Sequence, residues 1–249
     1  EAEVLGHVPW HRQDDFRRQI ALVMGQKAQM WWDLPGADCF ELLREIYQIP
    51  RDQYRKSLER LSTMLGIGEE MTIQIRRLSL GERMKMELIA ALLHSPRVVY
   101  LDEPTIGLDI TTQRAVRDFL LDYRRENAPA MILTSHYMED IERLCERIII
   151  IRKGDIVYDG SLERVIHEYA PYKQLRLNIH RASTLQPQPD QLEKMGKVVE
   201  CNPGSICLRV SRDKVPEVAA ELLRKYSVID LSIEDPEIGD TIERIMAGR

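Results

Sequence analysis

Residues 98–109 read Val-Val-Tyr-Leu-Asp-Glu-Pro-Thr-Ile-Gly-Leu-Asp. The apolar run at their start predicts a strand buried in a parallel sheet, and that strand ends in two adjacent carboxylates, Asp102 and Glu103. At such a strand end, one carboxylate can hold Mg²⁺ and the next can orient a water molecule for attack on a phosphoryl group. The stretch therefore predicts nucleotide hydrolysis. The strands and helices predicted after Asp109 alternate, which predicts parallel strands with crossover helices and so an α/β fold.

A second motif precedes this strand by the length of one helix. Ser79 and Glu82, in Leu-Ser-Leu-Gly-Glu at 78–82, form a capping box that predicts a helix running to His94. Free backbone N–H groups and the positive end of the helix dipole make such a helix start a site for anions. Alone, the box would only begin a helix, but beside the Asp-Glu strand it indicates a site for a nucleotide γ-phosphate.

Two further polar residues follow predicted strands. Gln26 comes after the apolar strand Ile20–Met24, and His136 comes after the strand Ala130–Thr134. Alone, Gln26 would be an ordinary surface residue and His136 a structural histidine. They gain weight only in combination with the other two motifs.

In this order, the four motifs resemble those of the ATP-binding subunit of ABC transporters, of the kind found in ABC-2-type exporters. The resemblance implies a P-loop NTPase-like, mostly parallel sheet with an inserted helical subdomain at about 36–78. It identifies the motifs as Q-loop, signature sequence, Walker B strand and H-loop, and it identifies Asp109 as the D-loop aspartate.

The same resemblance implies roles for these residues and implies ATP and Mg²⁺ as cofactors. Glu103 is expected to be the base that orients water, His136 to reach the γ-phosphate, and Gln26 to sense both Mg²⁺ and the attacking water. Asp102 is expected to be the main Mg²⁺ ligand, with Gln26 beside it.

The family works as a head-to-tail dimer, so one subunit carries two half-sites. The signature residues are expected to bind the partner's nucleotide, and Asp109 is expected to communicate across the dimer; the signature residues are Ser79, Gly81 and Glu82. Leu80 and Glu82 stand where many members have Gly and Gln. These two departures, together with the unusual segment 86–89, leave the contacts to the ribose open.

The phosphate loop of the family, G-x-x-x-x-G-K-[ST], does not occur in these residues. The only Gly-Lys pair, Gly196-Lys197, has Gln191 and Val198 where the motif needs Gly and Ser or Thr. The chain as given is therefore expected to be inactive. We expect the native protein to carry roughly 40–70 further N-terminal residues that include this loop.

The composition of the chain bears on nucleic-acid binding, membrane attachment and cysteine chemistry. A net charge of -5 argues against a general nucleic-acid binder. No apolar run reaches the roughly 20 residues of a membrane helix, and the first residues do not have the pattern of a signal segment, so we expect any membrane attachment to be through a partner. The four cysteines have no C-x-x-C pair, which indicates free thiols in a reducing compartment.

Two domains are predicted: an N-terminally incomplete nucleotide-binding domain at 1–170 and a small α+β accessory domain at 171–249. In the helical subdomain, Asp38 is the predicted cap of the first helix, which Pro50 stops. The accessory domain has predicted strands and helices at 174–179, 197–201, 206–210, 215–226, 228–233 and 238–246.

The chain is thus predicted to be the ATP-hydrolysing subunit of an ABC exporter. It would act as a homodimer, or with a paired ABC subunit, on a separate membrane permease at the cytoplasmic face of the membrane. A non-hydrolytic regulatory subunit and a soluble ABC ATPase acting on DNA or ribosomes are the alternatives. Trp31 and Trp32, just past the Q-loop, indicate either buried core or a surface that docks the permease.

Overall fold

The computed structural model describes residues 1–25, 27–169, 172–180 and 187–235, and the single positions 239, 242 and 245. Within these ranges it gives no account of the side chains at 166–169. The helices are α1 Asp14–Arg17, α2 Gly36–Tyr47, α3 Arg51–Leu65, α4 Leu80–Leu92, α5 Ile110–Asn127, α6 Met138–Leu144, α7 Leu162–Tyr169, α8 Pro189–Leu192 and α9 Val215–Lys225. The strands are β1 Ile20–Met24, β2 Val98–Asp102, β3 Ala130–Thr134, β4 Arg147–Arg152, β5 Asp155–Ser161, β6 Tyr172–Ile179, β7 Lys197–Asn202, β8 Ser205–Ser211 and β9 Val228–Glu234.

The first compact unit, Glu1–Leu144, contains a parallel sheet in the order β1-β2-β3. The central strand β2 buries Val98, Val99 and Leu101, as its apolar sequence predicts. Helices α2 to α5 contribute buried side chains to the same core as β1 and β2. The predicted α/β class with a parallel sheet is confirmed.

Backbone hydrogen bonds join the two ends of the helical segment that lies between β1 and β2. An isolated bridge joins Pro35 to Gln74, and the backbone N–H of Ile75 donates to the carbonyl of Leu34 at 3.0 Å. The first helix of this segment begins at Gly36, after an extended Pro35, so the prediction that Asp38 caps it is wrong. Asp38 lies in the first turn, where a carboxylate still favours the positive end of the helix dipole.

The second compact unit is Cys145–Arg249, and in it β4 and β5 form an antiparallel hairpin. Four further strands form an antiparallel sheet in the order β7-β8-β6-β9. Buried residues of α9, among them Val218 and Leu222, belong to the same core as Leu175 and Leu208 of this sheet. The predicted α+β unit is therefore present.

Two predictions stay open, one on a domain boundary and one on the last helix. The compact units divide after Leu144, whereas the sequence predicts a boundary near 170; that boundary remains a proposal. The predicted helix at 238–246 lies outside the described residues except at 239, 242 and 245, which are helical.

In the described part of the chain, no helix has both the length and the apolar character needed to cross a bilayer.

Candidate functional site

Parallel strands bring the candidate site residues to one edge of the first sheet. Met24, Asp102 and Thr134 are register partners at the carboxyl ends of β1, β2 and β3. Residues that directly follow these three strands therefore lie at the same edge. This is the usual position of ligand sites in open parallel sheets.

Asp102 presents an exposed carboxylate at this edge, and the Thr134 hydroxyl donates to its Oδ1 at 2.6 Å. Thr134 was not among the predicted site residues, although it ends the neighbouring strand at the matching position. Carboxylate oxygens are ligands that Mg²⁺ prefers, and one or two carboxylates suffice because the ion keeps waters and binds substrate phosphates. Asp102 therefore fits a magnesium-binding role.

Glu103 and His136 form a direct contact. Nδ1 of His136 lies 2.7 Å from Oε2 of Glu103, and the backbone N–H of His136 donates to the same oxygen at 3.4 Å. Glu103 has φ 52°, in the left-handed region that non-glycine residues seldom adopt. This backbone is held in place because the N–H of Glu103 donates to the carbonyl of Thr134 at 3.0 Å. The structure thus brings together the predicted base and the predicted phosphate-contacting histidine.

Gly25 brings the end of β1 against this pair. Its N–H donates to the carbonyl of Asp102 at 2.8 Å, and a Cβ at this position would lie 1.9 Å from the carbonyl oxygen of Glu103. Only glycine allows this approach without moving the backbone of Glu103. The next residue, Gln26, lies outside the described residues, so its predicted role stays a prediction.

The capping box at the start of α4 is confirmed. The hydroxyl of Ser79 accepts from the backbone N–H of Glu82 at 3.3 Å, and the N–H of Ser79 donates to Oε2 of Glu82 at 2.8 Å. The hydrogen bond from the backbone of Ser79 lowers the pKa of Glu82. An ionised carboxylate therefore lies at this helix start, so part of the positive potential that would attract a phosphate is already neutralised.

The predicted D-loop residue lies beside the signature motif. Asp109 caps α5, because its carboxylate accepts from the backbone N–H of Thr112 at 3.0 Å and from the Thr112 hydroxyl at 2.6 Å. These hydrogen bonds lower the pKa of Asp109. A Cβ on Gly81 would lie 2.9 Å from Cγ2 of Thr112, so the signature glycine and the cap of α5 are in close contact. The Asp-x-x-Thr spacing could have predicted this cap.

A pocket of about 280 Å³ is lined by residues of β1, α2 and α4 and by the segment 29–31. Glu87 in its wall accepts from the backbone N–H groups of Gln29 and Met30 at 2.7 and 3.1 Å, and burial raises the pKa of Glu87. Burial also lowers the pKa of His94, which stacks on Tyr47 in the same wall.

Trp31 lines this pocket and is 43% exposed, and the neighbouring Trp32 is 50% exposed. The guanidinium of Arg83 lies over the ring of Trp32, 5.3 Å from its centroid. These exposures contradict the buried-core interpretation of the two tryptophans. The docking interpretation stays a proposal.

Two family models match the chain. Residues 32–139 match a model described as an AAA domain, putative AbiEii toxin, Type IV TA system. Residues 171–234 match the C-terminal domain of an EvrA-like ABC transporter. The second match lies within the predicted accessory domain.

Several curated proteins are similar in sequence. The ABC transporter ATP-binding protein NatA of Bacillus subtilis is 29% identical over 60% of this chain and 60% of its own length. An uncharacterized ABC transporter ATP-binding protein of Methanocaldococcus jannaschii, MJ1023, is 32% identical over 57% of this chain and 53% of its own. YhcH, another uncharacterized ABC transporter ATP-binding protein of Bacillus subtilis, is 28% identical over 83% of this chain and 68% of its own. The chain thus spans less than two thirds of the first two of these relatives.

Solved structures share the fold. One described as the ATP binding subunit of an ABC transporter has a TM-score of 0.59 at 20% identity, covering 66% of this chain and 68% of that one. A dimeric post-hydrolysis state of the ATP-binding cassette MJ0796, bound to ADP and Pi, has a TM-score of 0.52 at 22% identity, covering 60% and 67%. At these identities the likeness supports the fold alone.

Proposed function

Because the chain is a homologue of the ATP-binding proteins of ABC transporters, we propose that it is the ATP-hydrolysing subunit of an ABC exporter. The observation that carries this proposal is the pair of carboxylates at the end of β2, with Glu103 held 2.7 Å from His136. The match of residues 171–234 to the C-terminal domain of an EvrA-like ABC transporter supports a transport role.

In the proposed reaction, Glu103 orients a water molecule and accepts its proton as the oxygen attacks the γ-phosphorus, while the bond to the ADP oxygen breaks. With Nδ1 directed at Glu103, the ring of His136 holds this carboxylate in place, and Nε2 is the ring nitrogen left to contact the γ-phosphate, which fixes the direction of attack. Mg²⁺, held through Asp102, would neutralise charge on the phosphates when bound.

The start of α4 and the cap of α5 are proposed to serve a second nucleotide. Ser79 is exposed and Gly81 half-buried at a helix N-terminus, where backbone N–H groups favour an anion. A phosphate there would be delivered by the paired subunit of a head-to-tail dimer, whether a second copy or a related chain. Asp109, whose carboxylate caps α5, would then contact the paired subunit at the same interface.

The proposal is tested by ATP turnover. The β- and γ-phosphates need a cradle of backbone N–H groups and a lysine, and no G-x-x-x-x-G-K-[ST] sequence lies within the 249 residues. We therefore expect no hydrolysis by these residues alone, and magnesium-dependent release of phosphate from ATP by a form that also carries such a loop. Absence of turnover in that form would favour the regulatory alternative.

We further propose that the pocket beside Trp31 receives the membrane permease, which would place the protein at the cytoplasmic face of the membrane. Trp31 lines this largely apolar pocket and Trp32 follows it in the chain, and half-exposed aromatic rings of this kind are typical anchors of protein contacts. The net charge of -5 gives no support to a nucleic-acid partner.

Replacing Trp31 and Trp32 together by Ala tests this surface. We expect co-purification with the permease to be lost while the melting temperature changes little, because both rings are already about half in water. Truncation of a fully buried aromatic residue costs roughly 3–5 kcal/mol instead. Phe40→Ala, at a fully buried position of α2, is the matched control and should lower the melting temperature more. A large loss of stability in the double variant, with normal co-purification, would contradict a docking role.

A further inference from the structure

A cluster of buried polar groups connects to the loops that carry Glu103 and His136. In the described part of the chain, four polar or charged side chains are buried, and three of them are Thr105, Arg117 and Asp140. The side chains of Arg117 and Asp140 are 2% and 0% exposed. Burying charges is costly unless they are paired and fully hydrogen-bonded, so each partner in this cluster matters.

Asp140 is the centre of the cluster. Its Oδ1 accepts from Nε of Arg117 at 2.7 Å. Its Oδ2 accepts from two hydroxyls, those of Thr105 and of Ser135, the latter at 2.8 Å. One carboxylate thus receives donors from three separate segments: the loop after β2, the loop after β3, and α5.

Arg117 is itself held on two further sides. Its Nη1 pairs with Oε1 of Glu139 at 2.5 Å, and its Nη2 donates to Oε1 of Gln113 at 3.1 Å. The side-chain amide of Gln113 in turn donates to the backbone carbonyl of Thr105 at 3.3 Å. The helix α5 therefore fixes the orientation of Asp140 and also contacts the backbone of the loop after β2.

We propose that Asp140, held by Arg117, is a positioning residue that sets the contact between Glu103 and His136. Thr105 lies two residues after Glu103, and Ser135 directly precedes His136. Because one oxygen of Asp140 binds both hydroxyls, it fixes the spacing of the two loops. The contact between Glu103 and His136 is formed by residues of this chain alone, whereas its importance for turnover rests on the proposed function.

The test compares Thr105→Val with Thr105→Ser. Valine keeps the shape but loses the hydroxyl, whereas serine keeps the hydroxyl. The chain is labelled with ¹⁵N-histidine, the ring signals of His136 are assigned with His136→Gln, and Glu103→Ala gives the signal of a histidine without its carboxylate. We expect Thr105→Val and Ser135→Ala to move the Nδ1 signal of His136 toward the Glu103→Ala position, and Thr105→Ser to keep the wild-type signal.

A purely stabilising role would give a different result. Leu65→Ala, at a buried position of α3, should lower the melting temperature and leave the His136 signal unchanged. If Thr105→Val and Ser135→Ala behaved in the same way as Leu65→Ala, the positioning role would be overturned.

Kinetics separate this inference from the proposed function. In the ATP-hydrolysing protein we expect Thr105→Val to lower kcat by about 10-fold or more, with KM within about two-fold, because small misplacements of reacting groups can cost about 10²-fold. A displaced His136 signal with unchanged kcat would count against the proposed roles of Glu103 and His136, and would leave the positioning by Asp140 confirmed.

Discussion

Glu103→Gln should lower kcat for ATP hydrolysis by about 10² or more, in a form of the protein that turns over MgATP, while nucleotide binding is retained. The amide has the size of the carboxylate but cannot accept a proton from the attacking water. Because ATP binds without being hydrolysed, the ATP-bound dimer should accumulate. Steady-state phosphate release at saturating MgATP, together with size-exclusion chromatography, measures both effects.

Asp122→Asn is the matched control for this variant, since it makes the same chemical change on the exposed surface of α5. Asp122 is 55% exposed and pairs with Arg125 at 3.2 Å. Such exposed pairs are worth at most about 1 kcal/mol, so turnover should stay at the wild-type rate. Glu103 would lose its proposed role if Glu103→Gln hydrolysed ATP as fast as Asp122→Asn.

The elements that carry the site could be predicted from local sequence. Continuous apolar runs predicted β1 and β3 with their observed bounds. Such runs are typical of strands covered on both faces, but Leu22 of β1 and Ile132 of β3 are 45% and 57% exposed, so the runs predicted where the strands lie and not how deeply they are buried. The start of α4 was also predicted, because its cap and its third residue bond to each other and need no distant partner.

Other parts of the fold depend on contacts that are distant in sequence. The first helix after β1 begins at Gly36 because the chain around Pro35 pairs with Gln74, and no local pattern near Asp38 indicates this bridge. The sheet of the second unit places β6 between β8 and β9. In that order β6 pairs with two strands that are distant from it in the sequence, so it cannot be deduced from strand lengths.

The residues of the site also divide into those that could be predicted from the sequence and those that depend on distant contacts. Glu103 and His136 were predicted together through the family resemblance, and the structure places each of them directly after a strand of one parallel sheet or in its loop. The pair Arg117 and Asp140 was missed, because the two residues lie on different helices and neither helix has a motif that indicates a buried charge. The hydrogen-bonding partners that surround the predicted site residues were thus the least predictable part of the chain.

Ser79→Arg should abolish ATP-driven dimerisation while the chain remains folded. The residue lies at the N-terminus of α4, where the backbone N–H groups are proposed to receive the γ-phosphate bound by the paired subunit. A long cationic side chain would fill this space and pair with the carboxylate of Glu82, whose pKa is already lowered there. Size-exclusion chromatography with ATP and Mg²⁺, on a form of the protein that binds nucleotide, measures the loss of dimer.

Ser79→Ala separates this steric effect from the loss of the helix cap. Alanine and arginine both remove the hydroxyl that accepts from the N–H of Glu82, which costs about 1 kcal/mol for a typical cap. Both variants should therefore melt at a similarly reduced temperature. Only the arginine also fills the anion site, so Ser79→Ala should weaken the ATP-dependent dimer far less than Ser79→Arg. If Ser79→Arg dimerised with ATP as fully as Ser79→Ala, this helix start could not lie at a shared nucleotide site.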